Sequence, residues 1–285
     1  MCLVAVKQPY VLQILYDDDA ESPREWDNFG RMVCWHSRYN LGDKHSHSKP
    51  GDFLQELVRE SMKPIDVISY VKDGHSNGLI FEHDKSGDVW RLLSYSDYFK
   101  KRYEEYVVET PPGMNDEDLS DAIIECMGEG DLLMLARQKN CILKLNLYNH
   151  SMLSMSTSSF IGHAHHAEWD SGQVGWIYAS HGDVKKEYGN VTPETLEKAE
   201  NLLRAEVETY SCFLRNQCYG FRLYKHGAEE NSCWGFIGCI NDIKKDMAGH
   251  LPEECRNLLE DLEEVPDVRF DGYIDHEYEE MEVMA

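Results

Sequence analysis

Short apolar runs, many of them rich in aromatic and β-branched residues, predict strands separated by polar loops. The clearest run is YVLQILYD, which is followed by an acidic loop with turn-forming residues. Two further segments predict β-hairpins: 141–159, with NHS as the turn, and 218–238, around HGAEEN. The single predicted strands are 9–16, 31–39, 65–71, 78–84 and 173–180, and 84–95 is predicted to return from 78–84 through a turn at Lys85–Asp88.

Apolar residues at spacings of three and four predict helices between these strands. The longest spans 192–216, with Thr192 as the N-cap and Pro193 at the first helical position. Another begins near Asp52 and presents Phe53, Leu54, Leu57 and Val58 on one apolar face. The remaining predicted helices are 96–109, one capped by Asn115, 182–189 closed by Gly189, and 252–264. Because strands and helices do not alternate regularly, we expect an α+β fold with a mostly antiparallel sheet, built from hairpins with helices packed against it.

The charge of the chain limits the class of partner. The net charge is −24, from 52 acidic and 28 basic residues, which argues against direct binding of nucleic acid. Two interpretations remain open: the charge provides solubility, or it competes for a surface that normally binds a polyanion. From Glu253 to Ala285 the chain has 13 acidic and 2 basic residues, so 11 of the 24 excess negative charges lie there.

Cysteine usage and hydropathy indicate a cytoplasmic protein. The nine cysteines are irregularly spaced and form no CxxC pair, which is typical of buried thiols in a reducing compartment. The sequence lacks an apolar run long enough to cross a membrane. It also lacks a basic segment and cleavage site at its start, so we expect neither a membrane partner nor a signal peptide.

The segment GHAHHAEWDSGQVG, residues 162–175, is the first candidate site. Its side chains are of the types that bind zinc, although the HxHH spacing does not match a helical pair of ligands. The candidate ligands are His163, His165, His166 and Asp170, with Glu168 and His181 as further possibilities. One interpretation is a loop exposed to solvent or to a partner, without a cofactor, and the alternative is a zinc site of a metal-assisted hydrolase.

Two further groups of residues could carry chemistry. Cys34 and His36 would face the same side of a strand, and Asp43, His45 and His47 follow nearby in the sequence. One interpretation is a Cys–His nucleophile pair, and the other is that these residues pack in the core. Trp–Asp pairs occur twice, at Trp26-Asp27 and Trp169-Asp170, where the tryptophan would anchor a tight turn or contact a partner. Trp176 and Trp234 are further candidates for a structural or partner-binding tryptophan. Phosphate-loop, dinucleotide, zincin and serine-hydrolase motifs do not occur in the sequence.

Three collinear segments resemble a family of uncharacterised proteins encoded by phages, prophages and mobile elements. The first is DDDAESPREWDNFGRMVCWHSRYNLGDKH, the second LNLYNHSMLSMSTSSF followed by WDSGQVGWIYAS and VKKEYG, and the third AEVETYSCFLRNQCYGFRLYK followed by SCWGFIG. They cover roughly residues 16–48 and 141–238. The family supplies no catalytic residue to transfer. Its members have a short link without histidines before WDSGQVG, so IGHAHHAE departs from the pattern.

The resemblance also implies a domain organisation and a context. It implies a discontinuous α+β core of residues 1–52 and 139–245 and an inserted α/β arm at 53–138. The helical pattern and the charge near the C-terminus predict a helix and an acidic tail at 246–285. Accessory genes of mobile elements often encode proteins that act against host defence. We therefore expect an acidic interaction protein, without enzymatic activity, that inhibits a DNA-binding defence nuclease of a bacterial host. The arm would be the place for contact with the partner or for a homo-oligomer.

Overall fold

The computed structural model describes residues 2–84, 86, 89–96, 101–103 and 115–265. It contains α-helices and antiparallel sheets, which confirms the predicted α+β class. The strands are β1 (Cys2–Lys7), β2 (Tyr10–Tyr16), β3 (Arg31–Cys34), β4 (Leu79–Asp84), β5 (Val89–Ser96), β6 (Lys101–Tyr103), β7 (Asn140–Asn149), β8 (Leu153–Ser156), β9 (Ser171–Ser180), β10 (Cys218–Lys225), β11 (Ala228–Ile237) and β12 (Glu263–Val265).

The helices lie between these strands. They are α1 (Pro50–Ser61), α2 (Pro64–Lys72), α3 (Asp116–Cys126), α4 (Glu129–Ala136), α5 (Ala167–Asp170), α6 (His181–Tyr188), α7 (Pro193–Leu214) and α8 (Ile240–His250), with 3-10 helices at Pro23–Glu25 and Glu253–Leu259. Within the described ranges, no helix is long and apolar enough to cross a membrane.

The chain folds into two compact units. The first comprises Met1–Asn28, Asn146–Gly172 and the described part of Ala205–Ala285, and the second comprises Phe29–Leu145 and Gln173–Arg204. The residues predicted as an arm, 53–138, lie within the second unit. Strand β7 and helix α7 each begin in the second unit and end in the first.

The first unit is built around a five-stranded sheet in the order β11-β10-β2-β1-β12. Strand β1 pairs with β2 from Cys2 to Lys7, and β2 pairs with β10 from Tyr10 to Tyr16. Helix α8 and the 3-10 helix that follows it cover this sheet. The buried side chains of this core include Leu12, Ile14 and Phe221 from the sheet, Met247 from α8 and Leu258 from the 3-10 helix.

The second unit contains the three-stranded sheet β4-β5-β6 and the helices α1 to α4, together with α6 and the start of α7. A four-stranded sheet has the order β3-β9-β7-β8. The paired residues of β3 and β9 lie in the second unit, whereas the paired residues of β7 and β8 lie in the first. The predicted apolar face of α1 is buried in the core of the second unit.

The hairpins and long helices were predicted correctly, whereas several local predictions differ from the structure. Residues 65–71 form α2, because Pro64 starts a helix and Val67, Ile68 and Val71 share its buried face. Residues 101–103 form strand β6, which pairs with β5, where a helix was predicted over 96–109; residues 97–100 and 104–109 lie outside the described residues.

Further differences are in the first unit. Strand β1 and helix α8 were not predicted, and residues 253–259 form a 3-10 helix where an α-helix was predicted. In the predicted turn at Lys85–Asp88, only Ser86 is described. Residues 266–285, most of the acidic tail, also lie outside the described ranges.

Candidate functional site

The segment with three histidines forms a loop that packs on the β7–β8 hairpin of the first unit. The Tyr148 hydroxyl donates to the backbone carbonyl of His165 at 2.9 Å, and the Tyr148 ring stacks on Phe160 at a centroid distance of 5.4 Å. The Ser171 hydroxyl donates to the carbonyl of Ala167 at 2.6 Å. The loop is thus held at its start, middle and end.

A fourth histidine joins the predicted cluster. His150, in the turn between β7 and β8, lies with Nδ1 2.8 Å from Oδ2 of Asp170. The ring centroids of His165 and His166 are 3.8 Å apart. The ring centroid of His150 lies 6.0 Å from that of His165 and 6.3 Å from that of His166. His150 was not among the predicted ligands, because NHS was interpreted only as a turn.

Two predicted candidates have other surroundings. The backbone N–H of His163 donates to the carbonyl of Phe160, and no ring or ion-pair contact of its imidazole occurs among the described residues. His181 belongs to the second unit, where its backbone N–H donates to Lys139. Burial, followed by the charge of Lys139, lowers the pKa of His181. Within the described parts of the chain, no group of three or more His, Cys, Asp or Glu side chains could hold a metal ion.

An exposed tryptophan dominates this loop. Trp169 lies on the short helix α5 and is 88% exposed. The residue before this helix, His166, has a left-handed backbone conformation with φ of 55°. Ile161 and Met152, in the same loop and in the adjoining hairpin turn, are 57% and 55% exposed. We call Met152, Ile161, Glu168 and Trp169 the Trp169 surface. Tryptophan is enriched at protein interfaces, because it combines a large apolar surface with an N–H donor.

The Cys34 group fastens a loop to a strand. Asp43 accepts a hydrogen bond from the backbone N–H of Met32 at 2.7 Å, and Nε2 of His45 lies 2.9 Å from the carbonyl of Cys34. The indole of Trp35 donates to the carbonyl of His47 at 3.0 Å. His36 accepts from the backbone N–H groups of two neighbouring residues. Each of these contacts holds backbone, which supports the interpretation as packing.

The other tryptophan candidates occupy different environments. Trp176 is 4% exposed and packs against Phe53 in the second unit. Trp234 lies across Gly220, where an added Cβ would be 2.1 Å from the indole. Trp26 is half-exposed beside Asp27, and the amide of Asn28 closes that turn by donating to two carbonyls. Trp169 is therefore the most exposed of these four.

The three segments that were singled out in the sequence contact one another. Arg24 in the first segment pairs with Glu206 in the third at 3.0 Å, and both side chains are largely buried. Met155 in the second segment donates its backbone N–H to the hydroxyl of Ser211 in the third at 2.9 Å. Gly175 in WDSGQVG lies so close to β3 that an added Cβ would be 1.9 Å from the carbonyl of Val33. These contacts give the motif residues a structural role.

Comparisons with protein-family models, curated proteins and solved structures found no match for this chain.

Proposed function

We propose that this chain is an acidic interaction protein of a phage or mobile element. In this proposal it inhibits a nuclease-type defence complex in the cytoplasm of a bacterial host. It binds the complex directly, shields the surface that binds DNA, and makes no nucleic-acid contact itself. The family resemblance supports the context, and the charge of −24 supports competition with a polyanion.

The observation that carries the proposal is the exposure of Trp169. Leaving an indole almost entirely in water loses the free energy that burial would provide, about 25 cal/mol for each Å² of apolar surface. The loop beneath Trp169 is nevertheless fixed by hydrogen bonds from Tyr148, Ser171 and the His150–Asp170 pair. A tryptophan side chain has few torsions to restrict on binding, so on a loop held in this way it is an effective anchor in a protein interface.

A pull-down from host lysate tests the proposal, with the full chain as bait and mass spectrometry as the readout. We expect a DNA-binding nuclease complex at stoichiometric yield with the wild-type chain, and a loss of at least about tenfold with Trp169→Ala. Val191→Ala is the matched control, because Val191 is also an exposed apolar residue but lies in the second unit and outside the predicted arm. Absence of a stoichiometric partner, or equal recovery with Trp169→Ala, would contradict the proposal.

A further inference from the structure

The chain around the Trp169 surface has no permanently cationic side chain over a long stretch. Between Lys144 and Lys185 there are 40 residues without a lysine or arginine. The acidic residues in this stretch are Glu168, Asp170 and Asp183. The histidines are the only side chains of this stretch that can carry a positive charge. The surface can therefore accept a cation without competition from a neighbouring lysine or arginine in this stretch.

The two carboxylates beside Trp169 differ in their surroundings. Asp170 is held by His150, with 2.8 Å between Nδ1 and Oδ2. Glu168 is exposed, and it forms no ion pair with any residue that the structure describes. Glu168 directly precedes Trp169 on α5. An open aromatic ring and a free carboxylate are thus adjacent in the chain.

This pair of groups matches the chemistry of an arginine side chain. A guanidinium is planar, stacks on an indole face, and can donate two parallel N–H bonds to a carboxylate. A lysine ammonium is a compact, strongly hydrated charge and lacks both the planar stacking and the paired donors. Surfaces that bind DNA are rich in arginine, because phosphate oxygens favour the same donors.

We propose that the Trp169 surface binds an arginine exposed on the DNA-binding surface of the partner. Its guanidinium lies over the indole of Trp169 and donates to the carboxylate of Glu168, while Ile161 and Met152 contact the apolar part of the arginine. This inference rests on the proposed function, and it names the chemistry by which the partner is recognised.

NMR of the ¹⁵N-labelled full chain at pH 8 tests this inference. The probe is a tetra-arginine peptide, compared with peptides in which every arginine is lysine or uncharged citrulline. The chain has six tryptophans, and the indole signal of Trp169 is identified by its loss in Trp169→Phe. We expect the arginine peptide to shift that indole, the lysine peptide to bind at least about threefold more weakly, and citrulline to give no shift.

Variants separate this site from the general attraction of an acidic protein. Glu168→Gln should weaken arginine binding at Trp169 by at least about threefold, whereas Glu197→Gln, an exposed carboxylate on α7, should leave it unchanged. An unshifted Trp169 indole, or equal losses with both variants, would overturn the inference. So would a dimer in sedimentation that Trp169→Ala dissociates, because a second copy would then occupy the surface. Recovery of the nuclease complex in the pull-down together with any of these results would leave the proposed function standing.

Discussion

Replacing Trp169 or Trp176 with alanine should lower the stability of the chain by very different amounts, although only seven positions separate the two residues. Trp169 is 88% exposed, so about 12% of its surface is buried. A tryptophan has about 250 Å² of surface, so about 30 Å² is removed from water. At about 25 cal/mol per Å², Trp169→Ala should lower the free energy of unfolding by less than about 1 kcal/mol.

Trp176 is 4% exposed and packs against Phe53 and Trp35, so Trp176→Ala removes a core side chain and leaves a cavity. We expect a loss of about 3–5 kcal/mol. Urea unfolding followed by circular dichroism measures both variants. A loss above about 2 kcal/mol for Trp169→Ala would refute the reasoning, because Trp169 would then contribute to the fold and its exposure would not indicate a contact site.

Three other predictions address the scaffold and its pH dependence. Gly175→Ala should disrupt the pairing of β9 with β3 and reduce the yield of folded protein. Gly172→Ala should fold normally, because the space around the added Cβ is open, and equal yields of the two variants would contradict this account. Arg24→Met should lower the free energy of unfolding, measured in urea, by about 3–5 kcal/mol, because the largely buried Glu206 loses this ion pair. Adding Glu206→Leu to Arg24→Met should recover part of that loss, and additive losses would argue against coupling between the two residues. Burial lowers the pKa of His181 below its ordinary 6.5, so the unfolded chain binds more protons at this residue than the folded chain does. The free energy of unfolding should therefore fall as the pH drops below about 6.5, and His181→Gln should make it depend less on pH. Denaturant titrations at several pH values measure this dependence, and an unchanged dependence in the variant would show that His181 does not contribute.

Local sequence patterns predicted those elements whose apolar spacing and terminal residues agree. The helix from Pro193 has a Pro start and a regular apolar face, and the hairpin of β10 and β11 has alternating residues around a tight turn. Helix α2 was mispredicted because IDVISYV is rich in β-branched residues, and its buried face becomes evident only from packing against α3. Tertiary contacts thus overrode local propensity at this segment.

The candidate site was predicted only in part, for a related reason. The histidine types and the Trp-Asp pair were evident from the sequence, but their distances depend on how the loop packs on the β7–β8 hairpin. His150 joins the cluster through a contact between residues 20 positions apart. The exposure of Trp169 was equally inaccessible, because a tryptophan beside a turn is ordinarily expected to anchor the turn by burial.

The most direct test of the central claim is a competition measurement with the purified host nuclease complex and fluorescently labelled DNA. Increasing amounts of the chain are added, and bound DNA is followed by fluorescence anisotropy. We predict displacement at stoichiometric amounts of wild-type chain, and about 30-fold more protein needed with Trp169→Ala, which leaves the net charge unchanged. DNA that stays bound at excess chain, or equal displacement by wild type and Trp169→Ala, would contradict the account.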